Sequence, residues 1–155
     1  MLSIIETLSE QDIAHIRALF KEYTDSLGFD LSFQNFGKEF AELPGKYTPP
    51  EGRLLLAIYD DKIAGCVALR KFENDICEMK RLYVRPECRR KGIGKALSIA
   101  VINLAREIGY SAMRLDTVPR MKQAIELYYS IGFKDIAPYR YNPIPGTVYM
   151  ELKLK

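Results

Sequence analysis

One histidine, His15, stands in a chain of 155 residues, with three cysteines, Cys66, Cys77 and Cys88. A lone histidine argues against a His-based metal centre and against a Ser-His-Asp triad. His15 falls inside a predicted helix with no cysteine near it in sequence, so it reads as an ordinary surface or core-edge residue. The cysteines are odd in number and too few for a disulfide framework. Their 11-residue spacing lacks the close CxxC pairs of a zinc site, so no metal is expected. No apolar run approaches the roughly 18 residues that span a bilayer. Met1 to Ser9 lacks a basic start and Glu6 interrupts its apolar stretch, so no signal peptide is expected. A soluble, cytoplasmic protein without membrane contact follows as the expectation. There is also no internal repeat, low-complexity tract or linker, which leaves one domain over residues 1–155. With 48% hydrophobic and 28% charged residues the composition is globular. A domain of this size buries roughly 68–70% of its unfolded surface without staples.

What charge there is in excess lies in one place. The net charge is +3, yet the window from Arg85 to Lys95 alone carries +4, through Arg85, Arg89, Arg90, Lys91 and Lys95 against Glu87. The remaining 144 residues sum to −1. A compact anion fits such a patch better than a long polyanion, which would need a basic stripe with interleaved aromatics. No nucleic-acid partner is expected.

Hydrophobic spacing gives the element order. Leu2 to Thr7 reads as a strand. Ser9 with Asp12 three residues on opens a helix carrying Ile13, Ile16, Leu19, Phe20, Tyr23 and Leu27, closed by Gly28. Phe33, Phe36, Phe40 and Leu43 predict a second helix, ended by Pro44-Gly45, and residues 46–52 a loop. Strands follow at 53–59, 62–72 and 76–84, joined by the turns Asp60-Asp61 and Glu73-Asn74-Asp75. Then come a helix at 92–108, a strand at 112–117, a helix at 121–131 stopped by Gly132, and two strands at 133–139 and 148–154. Three consecutive antiparallel strands amid helices predict a mixed α/β (α+β) sheet, mostly antiparallel and seven-stranded, flanked by about four helices.

The segment 76–108 carries the first chemical signal: a strand, then a basic glycine-containing loop, then a helix start. Unpaired N–H groups at a helix N-terminus and backbone freed by glycine make an anion site. A tight turn on a solvated basic surface is the competing reading. A dinucleotide fingerprint fails because Leu97 occupies the third glycine position. A P-loop fails because Ala96 follows Gly94-Lys95. In the strand itself Leu82 and Val84 share a face by alternation, Met79 falls on the other, and Lys80-Arg81 interrupts the apolar pattern. That irregularity suits a bulge leaving backbone groups free for a ligand, or equally a strand with a charged solvent face.

The run Met79-Lys80-Arg81-Leu82-Tyr83-Val84-Arg85-Pro86-Glu87-Cys88-Arg89-Arg90-Lys91-Gly92-Ile93-Gly94 resembles the bulged strand and Arg/Gln-x-x-Gly-x-Gly/Ala loop of the GNAT superfamily of acyl-CoA-dependent N-acetyltransferases. Ala124-Ile125-Glu126-Leu127-Tyr128-Tyr129-Ser130-Ile131-Gly132-Phe133 resembles its second motif, Ala-x-x-Leu-Tyr-x-x-x-Gly-Phe. Both occur in the family's order, and the element order matches over essentially the whole chain. The tail Pro138 to Leu152 is similar to a group of bacterial members.

The resemblance implies an acetyltransferase that moves the acetyl group of acetyl-CoA directly to a primary amine of a small molecule or amino acid, without a metal. An inactive acyl-CoA-binding sensor and a protein or peptide N-acetyltransferase are the alternatives, and a homodimer is compatible with the family. Carried across, Leu82, Tyr83 and Val84 would supply backbone to the pantetheine arm and thioester, with the Leu82 N–H as oxyanion donor. Arg89, Arg90, Lys91, Gly92, Ile93, Gly94 and Lys95 would hold the pyrophosphate. Tyr128 would be general acid toward the leaving thiolate, and Glu78 matches a position where some members place a general base. Met121 stands where the family often has a CoA-contacting Asn. Tyr128 also lies on the helix's inward stripe with Ala124, Leu127 and Ile131, which is where a plain core tyrosine would sit. Glu78 has a salt bridge to Lys80 or Arg81 as its competing role. Asp116 is a weaker candidate as base or ammonium partner. Cys88, before a basic helix start, could have a lowered pKa, but as a nucleophile it would lack a histidine base, and the family generally uses direct transfer. Asp30, Phe33 and Tyr141, with Tyr23, Phe36, Tyr139 and Asn142, are the candidates for an acceptor wall.

Overall fold

The computed structural model describes residues 1–7, 9–28 and 36–155. Seven strands form one sheet in the order β1-β2-β3-β4-β5-β7-β6: β1 (Leu2–Glu6), β2 (Arg53–Tyr59), β3 (Lys62–Glu73), β4 (Ile76–Val84), β5 (Ala112–Thr117), β6 (Lys134–Asp135) and β7 (Val148–Lys153). Only the β4–β5 pair is parallel among these strands. Helices α1 (Glu10–Leu27) and α2 (Phe36–Glu42) cover one face, and α3 (Ile93–Ile108) and α4 (Lys122–Ile131) the other. The expected mixed, mostly antiparallel seven-stranded sheet with four helices is the observed one.

Each helix begins and ends where its sequence allows. Ser9 Oγ accepts the Asp12 N–H at 3.1 Å, which satisfies one of the donors a helix start leaves open. Gly28 closes α1 with φ 74°, in the left-handed region where a side chain is strained. The amphipathic stripe of α1 buries Ile16, Leu19 and Phe20 against β2 and β3, and that of α3 buries Leu97, Val101 and Ala105 on the opposite face. Each fully buried aliphatic side chain contributes about 1.5–3 kcal/mol. The sheet is thereby fixed between two apolar layers, so its backbone is a rigid base for a site.

Two expectations need correction. The strand predicted at 133–139 pairs only over Lys134–Asp135. After the Ile136 N–H donates to Tyr149 O, Pro138 has no N–H to give, and the chain turns away as Tyr139 and Arg140 pack against Glu78. Met79, expected opposite Leu82 and Val84, instead joins them against the α3 core. The cause is a bulge. Ala68 pairs Lys80 and Cys66 pairs Tyr83, so Arg81 and Leu82 together oppose Val67. One extra residue shifts the alternation by one step, and Lys80 and Arg81 both end up toward α1 and α2.

Candidate active site

The bulge is the centre of the site. Arg81 takes φ 59°, a left-handed conformation rare for a strand residue, and its surroundings hold it there. Its guanidinium donates to both Glu39 oxygens, at 3.0 and 3.2 Å, and lies over Phe36 at 5.5 Å and Tyr23 at 6.0 Å. The partner strand makes room: a Cβ on Gly65 would stand 2.4 Å from Tyr83 O, so only glycine permits this approach of β3 to β4.

On its other edge β4 loses its neighbour. It pairs with β5 only through Ile76, Cys77 and Glu78, after which the two strands splay apart. The opening is a cleft lined by Lys80, Arg81 and Leu82 of β4 and by Leu115, Asp116 and Thr117 of β5. Among the described residues, backbone groups of β4 beyond Glu78 therefore have no strand partner on that side, as an oxyanion donor at Leu82 would require. The bulge, one of two readings of this strand, is thus present.

Tyr128 comes to the same cleft from α4. Its ring is 6% exposed and packs edge-on to Phe133 at 5.7 Å. Its hydroxyl makes no hydrogen bond within the protein among the described residues, and burial pushes its pKa up. It combines the core packing of one reading with the open hydroxyl of the other, and it stays protonated at neutral pH.

Beside the cleft a groove runs along Leu82, Tyr83 and Val84 to the loop 89–95 and across to Met121 and Leu127. Gly92 caps α3 with φ 75° and open space around it, and the first bond closing the helix is Ala96 N–H to Gly92 O at 3.0 Å. The N–H groups ahead of it lack intrahelical acceptors and face an anion readily. Arg90 and Lys95 add positive charge, while Arg89 Nε donates to Val84 O at 2.9 Å. Ile93 is buried as the first inward residue of α3. Cys88 is buried on the groove wall. Nine of the ten residues expected to hold the CoA moiety line this groove; Lys91 does not, its ammonium lying over the Tyr59 ring at 5.5 Å.

Glu78 lies behind the cleft wall rather than on it. Its carboxylate is 0% exposed and does not line the cleft. It accepts from Arg70 Nε at 2.9 Å and Tyr139 Oη at 2.8 Å, binds Arg140 closely, and has Lys80 Nζ at 3.9 Å. Burial alone would raise its pKa, but Lys80, Arg140 and Arg70 outweigh that and lower it. Of its two expected salt-bridge partners Lys80 is present, whereas Arg81 turns to Glu39.

Asp116 does line the cleft and accepts from Asn142 Nδ2 at 3.3 Å. Tyr23 and Asn142 line the same cleft, Tyr139 stands behind it on Glu78, and Tyr141 is 75% exposed at a neighbouring pocket. Asp30 and Phe33 lie outside the described residues. His15 is half-buried on α1. No cluster of His, Cys, Asp or Glu suited to a metal occurs among the described residues, and no described helix is long and apolar enough to cross a membrane. Sequence reasoning missed Arg70, Arg140 and Glu39 as site residues. The Lys80-Arg81 break in an apolar strand was the available signal for a charged pocket.

Residues 13–133 match the model of the acetyltransferase (GNAT) family. An uncharacterised N-acetyltransferase of Schizosaccharomyces pombe is 43% identical over 99% of this chain and 95% of its own. A GNAT-family acetyltransferase structure from Staphylococcus aureus superposes with a TM-score of 0.80 at 21% identity, covering 100% of both chains. A Salmonella typhimurium protein solved with its cofactor acetyl-CoA superposes at 0.70 with 19% identity, over 99% of this chain and 94% of that one.

Proposed function

The chain belongs to the GNAT family and is an acyl-CoA-dependent N-acetyltransferase, and from that premise we propose that it acetylates the primary amine of a small molecule or amino acid by direct transfer. The observation that carries this reading is that a cleft holding the splayed β4 backbone and the open Tyr128 hydroxyl meets, at Leu82, a groove that ends on the start of α3. Acetyl-CoA supplies an activated acetyl thioester. The protein's part is then positional and electrostatic. The α3 N-terminus and loop 89–95 hold the pyrophosphate, and Leu82 and Val84 align the pantetheine arm by backbone contacts. The Leu82 N–H faces the acetyl oxygen as negative charge builds there. Tyr128, kept protonated by burial, gives its proton to the departing thiolate sulfur.

The amine must lose a proton. Glu78 acts through the cations packed on it rather than at the nitrogen, so the proton leaves to water or the amine arrives neutral. Asp116, on the cleft wall, is placed to hold a substrate ammonium. Met121, which caps α4 where the family often has Asn, leaves that end of the groove to backbone and apolar contact. The neighbouring pocket, about 480 Å³, has the size of a small-molecule site rather than a peptide channel.

The test is an acceptor screen with acetyl-CoA that reads free thiol. Amine-dependent release, with the acetylated product identified by mass, supports the reading. Binding of acetyl-CoA with no release across small amines and peptides would make the chain a sensor. Release with peptides alone would make it a protein acetyltransferase.

A further inference from the structure

On the α2 side of β4, next to the transfer cleft, lies a pocket bordered by Lys46, Arg70, Phe72, Lys80, Arg140 and Tyr141. Lys80 lines both the pocket and the cleft, so the two meet at its side chain. The pocket has cations from four separate segments. Its carboxylates are largely committed elsewhere: Glu39 takes both Arg81 bonds and the Tyr47 hydroxyl at 2.6 Å, and Glu42 is exposed at the rim.

Glu78 lies beneath, and it is saturated. Oε1 faces Arg70 and Lys80, and Oε2 accepts from Tyr139 and Arg140. Three cations thus share one carboxylate in a place where their side chains are 19%, 6% and 17% exposed. A guanidinium carries five N–H donors. Arg70 uses Nε and Arg140 one terminal nitrogen, and the rest of both forks bond to nothing among the described residues. The Arg140 guanidinium also lies over Phe72 at 5.7 Å and Tyr139 at 5.1 Å, two rings that themselves meet edge to face at 5.1 Å. Partly buried guanidiniums with unused donors are suited to a planar bidentate anion.

We propose that this pocket binds a carboxylate of the acceptor, through Arg70, Lys80 and Arg140, and so selects acidic amines for acetylation. The inference rests on the acetyltransferase reading above and names its substrate class. Because Lys80 borders both spaces, an amine in the cleft and an anion in the pocket fit one short acceptor, such as an amino acid or an amino dicarboxylate. Glu78 then has a role: it holds the two arginines in place for a ligand while never meeting the ligand itself.

The test compares L-aspartate, L-glutamate and β-alanine with their carboxamides and with spermidine in the thiol-release assay. Carboxylate acceptors are expected to exceed their amides at least tenfold in kcat/KM. Arg70→Met and Arg140→Met should each raise KM for the carboxylate acceptor tenfold or more, leave KM for the amide unchanged, and keep the thermal shift given by acetyl-CoA. Equal use of amides, or preference for spermidine, overturns the proposal. Because both arginines also hold Glu78, their loss can cost the fold, so succinate and succinamide serve as thermal-shift probes on the unaltered protein. Millimolar succinate should raise Tm and succinamide should not. A silent succinate overturns the proposal alone, whereas a missing acetyl-CoA shift overturns the acetyl-transfer reading beneath it.

Discussion

The two sides of β4 both gather positive charge, but by different means. On the α3 side the groove is built from backbone: helix-start N–H groups, a glycine at φ 75°, and lysines and arginines that stand largely in solvent. On the α2 side it is built from buried side chains held by carboxylates, Arg81 on Glu39 and Arg70 with Arg140 on Glu78. A backbone site tolerates change in its side chains and presents the same donors to any phosphate. A side-chain site depends on every partner and can be specific. The shared cofactor fits the first kind of site, and the variable acceptor fits the second.

That comparison predicts that the largest losses of stability come from the α2 side. Arg81 is 3% exposed at its side chain, so Glu39→Ala would leave a buried guanidinium with its main acceptor gone. Breaking a buried pair from one side costs about 3–5 kcal/mol. Chemical unfolding should show that loss, together with a lower Tm, while the folded fraction binds acetyl-CoA as before. A cost under about 1 kcal/mol would mean that the bulge is held by strand packing alone.

Next in size is an effect on turnover without one on stability. Tyr128→Phe keeps the ring against Phe133 and removes the proton donor. General acid catalysis contributes about 10²–10⁴-fold, and a thiolate is already a fair leaving group, so a loss of about 10²-fold in kcat is expected, or about 2.7 kcal/mol. Because the hydroxyl has no partner among the described residues, Tm should hold. A lowered Tm with unchanged turnover per folded molecule would return Tyr128 to the core.

The α3 side should respond to charge and hardly to shape. Gly92 has open space around it, so Gly92→Ala meets only the strain of its positive φ. Gly92→Asp adds a negative charge where the phosphate belongs. Acetyl-CoA at a hundred times its Kd stabilises a binding protein by about 2.7 kcal/mol. That gain should vanish in the Asp variant and survive, weakened, in the Ala variant. Equal shifts in both would take the pyrophosphate away from this loop.

The same contrast explains what could be read in advance. The α3 groove was legible because its parts are consecutive: strand, basic loop, glycines and helix start all fall within residues 76–108. Tyr128 was legible for the same reason, inside a short motif that ends at Gly132-Phe133. The acceptor side joins Arg81 to Glu39 across 42 positions and Glu78 to Arg140 across 62, and no local pattern announces such partners. Glu78 was found by its place in the strand, but its burial under three cations was not. The strand at 133–139 was overextended because aromatic residues suit a strand, and the single Pro138 did not weigh enough against them. Met79 was assigned to the wrong face because alternation was counted straight through a bulge that the Lys80-Arg81 pair had already suggested.

The smallest expected effect follows from Lys80, and its sign can be worked out. Burial first, then the neighbouring Arg81, Arg140 and Arg70, lower its pKa to about 7 against the pull of Glu78. In the unfolded chain a lysine titrates near 10.4. Between those values the unfolded state holds one proton more than the folded state, so stability rises with pH there, by at most about 1.4 kcal/mol per unit. Below pH 7 both states are protonated and the slope disappears. Above about 8.5 the buried Cys66 and Cys77, whose thiols burial pushes upward, contribute with the opposite sign, because their unfolded forms ionise first. The clean window is therefore pH 7 to 8.5. Urea unfolding across it should show stability rising with pH in the native protein, and Lys80→Met should flatten the rise. A flat native profile would mean that Lys80 keeps its proton in the folded state. The α2 pocket would then carry a permanent charge at this position and bind its carboxylate with equal strength from pH 7 to 8.5.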